Sequence, residues 1–199
     1  MASVLVTAFE PYDDWPTNAS WLTLVELTKN LPDEPVITTR RYCVDFDKVR
    51  TQLAKDLADG YDFAIHLGQS PPDALITLET IGINVRGERD QPPEQFGPLV
   101  ADGPTAYHTQ LPVRELTERL RNAGLPARVS YHAGEYLCNA TLYLSHHLTI
   151  QLGVDTKSLF IHLPLDPSQL KPTMCRQATL PVTTGARALR LILQELDQL

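Results

Sequence analysis

The chain has no apolar run long enough to span a bilayer, no C-x-x-C pair, no cluster of histidines and no glycine-rich loop able to cradle a phosphate. The first absence argues against a membrane-spanning helix, the next two against a zinc site of the usual spacing, and the last against a nucleotide-binding loop. Basic charge is also short. With 17 Lys and Arg against 24 Asp and Glu, the net charge is -7, so neither nucleic acid nor an anionic membrane is expected as the main partner. Three cysteines, Cys43, Cys138 and Cys175, make an odd number without disulfide spacing, and a reducing cytoplasm is the expected compartment. The opening residues, Met1 to Thr7, lack the basic and long apolar regions of a signal peptide and read as a first strand.

What is present is an ordinary globular composition over 199 residues, expected to form one domain with a substantial core. Short apolar strands are expected at Val4–Ala8, Val36–Val44, Phe63–Leu67, Leu75–Asn84, Arg128–Tyr131 and Ser158–Leu163. Helical spacing places helices at Ala19–Leu31, Phe46–Ala58, Pro112–Ala123, Leu137–Leu152 and Thr184–Leu196. Asn18 suits an N-cap, Pro112 a first helical turn, and Gly124 with Pro126 a helix stop. This alternation implies an α/β fold, with helices on both faces of a mixed, largely parallel sheet. Residues 87–108 differ: Pro92, Pro93, Pro98 and Pro104 crowd a stretch of glycine and charge. A loop of this length in a compact domain is expected to form a lid or one wall of a cleft, or else a merely mobile excursion.

The segment Ser130 to Asn139 carries the most chemistry. It reads as a strand end, a glycine turn at Gly134 and then Cys138 on the first turn of a helix that runs to Gly153. A thiol there faces unpaired N–H groups and the positive end of the helix dipole, which favour thiolate; the same N–H groups could hold an oxyanion. A lone helix cysteine is more often a small core hydrophobe, so Cys138 needs partners.

A catalytic thiol requires a base, and the base an orienting group. Six histidines compete. His132 is too close along the chain to be placed, and His108 falls in the loop region. His146 and His147 are adjacent on a helix and point in different directions, so one is expected to pack and the other to be solvated. His66 and His162 both end apolar strands, where sites of open α/β sheets lie. His162 follows the helix that Cys138 opens, so the helix–loop–strand return can bring the two together. Among acids, Glu79 interrupts an apolar, β-branched run and by alternation shares a face with Leu75, Thr77 and Ile81. It is either a sheet-edge group or a buried carboxylate in need of a partner.

These residues together resemble the pyroglutamyl peptidase I (pyrrolidone-carboxylate peptidase) family of cysteine peptidases. Thr7-Ala8-Phe9-Glu10-Pro11-Tyr12 with Asn18-Ala19-Ser20-Trp21, Gly68-Gln69 with Glu79, Asn84 and Arg89, Gly103 to Val113, Ser130 to Asn139, and Phe160-Ile161-His162-Leu163-Pro164 match the family segments in order. The resemblance implies an α/β/α sandwich of the phosphorylase/hydrolase-like kind and removal of N-terminal pyroglutamate from peptides. It implies that Cys138 attacks, that His162 serves as base and then acid, and that Glu79 orients the imidazole. Phe9, Tyr12, Asn18, Gln69 and Arg89 are the implied substrate-binding residues, with Phe9 the aromatic wall and Gln69 an amide that both accepts from and donates to the lactam edge. No metal or organic cofactor is implied, and homo-oligomers are compatible with it.

The chain also departs from the family pattern. Asp13-Asp14 stand where the family carries Gly-Gly, Ala8 replaces a glycine before the pocket aromatic, and Ser70-Pro71-Pro72-Asp73 replace smaller residues. Gly87 and Gln91-Pro92-Pro93 alter the segment around Arg89. If the first of these loops needs positive φ, the aspartates must reshape it or bear strain. Two other readings therefore accompany the first: a thiol amidohydrolase acting on another lactam or small amide, and a weakly active relative kept as a binding protein. The persistence of Cys138, His162 and Glu79 speaks against the last.

Overall fold

The computed structural model describes residues 1–71, 73–88, 90–171 and 177–199. Strand β1 (Ser3–Phe9) leads into helix α1 (Ala19–Thr28), β2 (Val36–Tyr42), α2 (Phe46–Leu57) and β3 (Phe63–Gln69). Then follow β4 (Ile76–Glu79), β5 (Ile81–Ile83), β6 (Ala106–His108), α3 (Val113–Asn122), β7 (Ala127–Ser130), α4 (Leu137–Leu152), β8 (Lys157–Leu163) and α5 (Val182–Leu196). Short 3-10 turns occur at Pro93–Gln95 and Pro167–Gln169.

Six strands form one sheet in the order β2-β1-β3-β8-β4-β7. The first four are mutually parallel, and β4 and β7 run against them. Alternation along the strands sorts side chains into two cores. Val4, Val6, Phe63, Ile65, Leu159 and Ile161 pack with α1, α3 and α5 on one face. Leu5, Phe9, Ala64 and Phe160 pack with α2 and α4 on the other. The result is the expected three-layer α/β/α sandwich with a mixed, largely parallel sheet.

Local signals place the helix ends. Asn18 caps α1, its side chain accepting from Ser20 N at 3.0 Å, and its amide donates back to Glu10 O at 3.0 Å. Gly124 (φ +74°) and Gly153 (φ +67°) sit in the left-handed region just past α3 and α4, where a side chain would be strained. Pro112 stands one residue before α3, at its N-cap. The early loop also holds a left-handed residue: Asp13 has φ +56°. Aspartate tolerates this region better than most side chains, so the turn forms here without glycine.

The expected single strand Leu75–Asn84 is two strands. Thr80 breaks it: its N–H and Oγ1 both donate to Ser130 O, and its own carbonyl accepts from Thr109 N. Beyond it β5 leaves the main sheet and pairs antiparallel with β6. Ile81 therefore no longer shares a face with Glu79. Gly82 lies against α4 so closely that a Cβ would meet Tyr143 N at 2.7 Å. Residues 87–108 are tied down at their neck: Asn84 Nδ2 donates to Val100 O and its Oδ1 accepts from Val100 N, while Gly87 N donates to Glu135 O.

The histidines outside the site differ from expectation. His108 is in β6 rather than a loop. His66 does not end its strand, which continues to Gln69; it is fully buried, with Nδ1 on Thr7 Oγ1 and Nε2 on Ser145 Oγ. His146 and His147 are both buried, so neither is solvated. Because α4 is wedged between the sheet, α2 and the β5–β6 ribbon, it has no broad solvent face over this turn.

Candidate active site

β1, β3 and β8 all end on the same edge of the sheet, and α4, returning antiparallel to them, begins there. Cys138 is the second residue of α4, after a turn in which Gly134 takes φ +83°. The Tyr136 side chain makes no cap bond at the N-cap of α4, so it does not compete for the first-turn N–H groups beside the thiol. β3 approaches equally closely: a Cβ on Gly68 would lie 3.0 Å from Cys138 Sγ and 2.6 Å from Phe160 Cζ. Gly68 is thus what lets the thiol sit against the sheet edge.

His162, near the end of β8, and Glu79, the last residue of β4, are joined by strand register. Thr77 pairs with His162 and Glu79 with Phe160, which makes Glu79 the diagonal neighbour of His162 on one face. Both side chains are buried, and His162 Nδ1 donates to Glu79 Oε1 at 2.8 Å. A carboxylate oxygen only accepts, so Nδ1 carries a proton and Nε2 is left for Cys138. Burial opposes a charge on His162, but Cys138 on one side and Glu79 on the other reverse that effect and push its pKa up to about 10. The edge-or-buried alternative for Glu79 is settled as buried and paired. Its second oxygen, Oε2, has no protein hydrogen-bond partner among the described residues.

Phe9, Tyr12, Asn18 and Gln69 come together with Gly68, Leu137 and Cys138 around one narrow pocket of about 60 Å³. The pocket shares Tyr12, Val44 and Tyr136 with a wider groove of about 680 Å³, whose far side is lined by Gly87, Glu88, Gln91, Pro93 and Phe96. Arg89, the remaining expected binding residue, lies outside the described residues, as do Cys175 and Pro72. Asn18 has its polar atoms engaged in capping α1 and bonding Glu10. It holds the pocket's shape rather than offering a free group.

Gln69 differs from the expectation that it would both accept and donate. Its Oε1 already accepts from Ala19 N at 2.7 Å and from Gln169 Nε2 at 2.7 Å. Only its Nε2 has no partner among the described residues, so the Gln69 side chain can supply a donor but not an acceptor. Sequence reasoning gave no role to three residues that shape this site: Gly68, Gln169 and Asn139. The last sits beside the cysteine and binds Ile83 through both ends of its amide, tying β5 to α4. For Gln169 a signal existed, since Asp166-Pro167-Ser168-Gln169 has capping-box spacing.

Chemically, a thiol at a helix N-terminus, an imidazole held by a buried carboxylate, and a small apolar pocket with one amide donor make a site for acyl transfer from a compact acyl group. A group of three or more possible metal-ligating side chains is absent among the described residues. No helix among them is long and apolar enough to cross a membrane.

Comparison with known proteins agrees. Residues 2–196 match the family model described as pyroglutamyl peptidase. A pyrrolidone-carboxylate peptidase of Yersinia pestis (strain Pestoides F) is 33% identical over 192 residues, covering 90% of this chain and 88% of the relative. Among solved structures, the pyrrolidone carboxyl peptidase of Fervidobacterium islandicum AW-1 aligns with a TM-score of 0.92 at 30% identity, over 100% of this chain and 99% of that one. The pyrrolidone carboxyl peptidase from Thermococcus litoralis aligns with a TM-score of 0.89 at 26% identity, over 100% and 94% respectively.

Proposed function

We propose, starting from a chain that belongs to the pyroglutamyl peptidase family and removes N-terminal pyroglutamate from peptides, that Cys138, His162 and Glu79 carry its chemistry. The observation that supports this most is the buried 2.8 Å bond from His162 Nδ1 to Glu79 Oε1, with Cys138 as the other partner of the ring. Cys138 Sγ attacks the carbonyl carbon of the pyroglutamyl residue, and the oxyanion forms against the N–H groups at the start of α4. His162, protonated at Nε2, gives that proton to the departing peptide amine. The 5-oxoprolyl thioester is then hydrolysed by water, which His162 deprotonates as the general base. Glu79 keeps the imidazole in the correct tautomer and supports its charge.

The lactam ring fits the narrow pocket with Phe9 as its apolar wall and its carbonyl on Gln69 Nε2. The pocket is too small for a chain running on from the ring, whereas the adjoining groove is roomy, and this contrast supports cleavage after a terminal ring only. The groove takes the rest of the peptide, with Gly87, Glu88, Gln91, Pro93 and Phe96 on its wall. An L-prolyl residue lacks the carbonyl and brings a cationic ring nitrogen toward a donor-only amide, so it is rejected. The free thiols Cys43 and Cys138 support a reducing compartment such as the cytoplasm.

The test is release of 7-amino-4-methylcoumarin from its pyroglutamyl amide under reducing conditions, comparing wild type with Cys138→Ala. Turnover by the wild type alone, with both proteins showing the same circular dichroism, is the expected result. Undiminished turnover by Cys138→Ala removes Cys138 as nucleophile.

A further inference from the structure

Gln169 touches no part of the substrate pocket, yet it is buried and every polar atom of its amide is engaged. Its Oε1 accepts from Asp166 N at 2.8 Å, closing a capping box over the 3-10 turn Pro167–Gln169. That bond decides which end of the amide points away, because a backbone N–H can only donate and must face oxygen. The NH2 group is thereby turned toward Thr17 O, at 2.9 Å, and Gln69 Oε1, at 2.7 Å. Gln69 Oε1 also receives Ala19 N, so both its lone pairs are filled by donors of fixed direction. Gln69 Nε2 is left without a partner among the described residues, in a residue 5% exposed at the wall of the pocket that holds Cys138. A buried NH2 without an acceptor is costly, and its natural complement is a ligand oxygen.

We infer that Gln169 is a positioning residue for substrate specificity: through its capping box it locks the Gln69 amide with NH2 toward the pocket, making the site selective for a ring that presents a carbonyl oxygen. This rests on the reading of Gln69 as the lactam-binding amide. The relay extends further, since Asp166 Oδ2 also accepts from Val182 N at the start of α5. The end of a core helix, a turn and a specificity group thus share one hydrogen-bonded chain.

Gln169→Glu is the sharpest perturbation. It keeps the length and still accepts from Asp166 N, but sets an oxygen without hydrogens against Gln69 Oε1. Ala19 N still holds Gln69 Oε1, so the amide cannot simply turn over; the like oxygens instead push it out of place and draw its NH2 away from the lactam oxygen. Gln169→Met removes the donor without adding charge and serves where the glutamate variant fails to fold. Each is assayed at pH 8.5 on the pyroglutamyl coumarin amide, in wild-type and Gln69→Leu backgrounds, with thermal unfolding followed in parallel. The carbonyl contact is held in ground and transition states alike, so the change belongs in KM. In the wild-type background Gln169→Glu raises KM at least tenfold and Gln169→Met two- to fivefold, with kcat within threefold. In the Gln69→Leu background neither variant changes KM by more than twofold. KM within twofold of wild type for both variants, or the same factor in both backgrounds, overturns the inference. Gln69→Leu alone leaving KM unchanged overturns the reading of Gln69 as well, whereas Gln69→Leu raising KM while the Gln169 variants do not sinks the inference alone.

Discussion

Replacing Glu79 with glutamine tests the site where geometry and charge can be separated. The substitution is nearly isosteric and Glu79 is buried, so its effect comes from the lost charge and the added hydrogens. A unit charge about 4 Å from the imidazolium, at an effective dielectric of about 20, is worth about 4 kcal/mol. Removing it lowers the upper limit of the His162 imidazolium from about 10, although Cys138, the larger cause of that elevation, stays in place. The hydrogens matter as much. Oε2 of Glu79 has no protein partner among the described residues, so a glutamine NH2 placed there is buried and unpaired, at about 1–3 kcal/mol. Turned the other way, the NH2 donates to His162 Nδ1, which must then give up its proton and leave it on Nε2. A neutral ring in that tautomer cannot accept the Cys138 proton. Loss of orienting charge with wrong tautomer typically costs about 10³–10⁴ in rate, and a fall of that order in kcat/KM is expected. The assay is coumarin release from pH 5.5 to 10.5, with circular dichroism to confirm folding. The alkaline limb of the profile should move toward neutrality in the variant. A well-folded Glu79→Gln enzyme within tenfold of wild type, with its alkaline limb unmoved, would refute this account of the carboxylate.

Gly68→Ala should disturb Cys138 more than the pocket, because its Cβ would sit 2.6 Å from Phe160 Cζ and 3.0 Å from Cys138 Sγ. We expect destabilisation of about 1–3 kcal/mol and at least a tenfold fall in kcat with a smaller change in KM; activity within twofold of wild type would contradict that approach. His66 is held neutral, its pKa pushed down to about 3 by burial first and by His146 second, and burial with His108 takes His146 to about 4. The unfolded chain binds these protons near pH 6.5 while the folded one does not, so the stability involved is complete above that pH and drains away as pH falls toward 3. Urea midpoints between pH 7.5 and 4.5 should therefore fall, and fall less steeply in His66→Gln; equal slopes would refute the assignment. His162 has the opposite sign: raised to about 10, it contributes stability that is complete below about pH 6.5 and is lost as pH rises through 10. His162→Ala should accordingly flatten the alkaline side of the same midpoint curve.

Much of the architecture is legible because its signals are local. Alternation in β1, β3 and β8 sorts Val4, Val6, Ile65 and Ile161 from Leu5, Ala64 and Phe160 without any knowledge of the partners. Asn18 and Gly153 act within their own helix ends. What escaped depends on distant atoms. Thr80 is β-branched and sits in an apolar run, so nothing local marks the break; it arises from bonds to Ser130 and Thr109. The solvation expected for one of His146 and His147 failed for a related reason. A one-sided helix would expose one of two adjacent residues, but α4 is covered on several sides, and its mixed sequence (Leu142, Tyr143, Leu144, Ser145) carries no clean polar stripe that would have set one face apart.

The same distinction runs through the site itself. Cys138 is legible as the proposed nucleophile because the turn, the glycine and the helix start are contiguous. Glu79 is not legible in that way, since a carboxylate in a strand-like run has the same local appearance at an open edge as beside an imidazole. What decides is the antiparallel register of β4 on β8, which sets Thr77 opposite His162 and Glu79 opposite Phe160. A slip of one residue would turn Glu79 to the opposite face of the sheet, toward α1, α3 and α5, leaving a buried carboxylate among Leu159, Ile161 and Leu189 and an imidazole without its orienting group. The register is fixed over only a few residue pairs, and β4 is pinned on its other side by pairing from Ile76–Ala127 to Glu79–Ser130. The break at Thr80 belongs to that restraint: by donating twice to Ser130 it locks β4 against β7 at the residue after Glu79. The feature that most contradicts a simple strand pattern is therefore one that holds Glu79, the proposed orienting carboxylate, in register with His162.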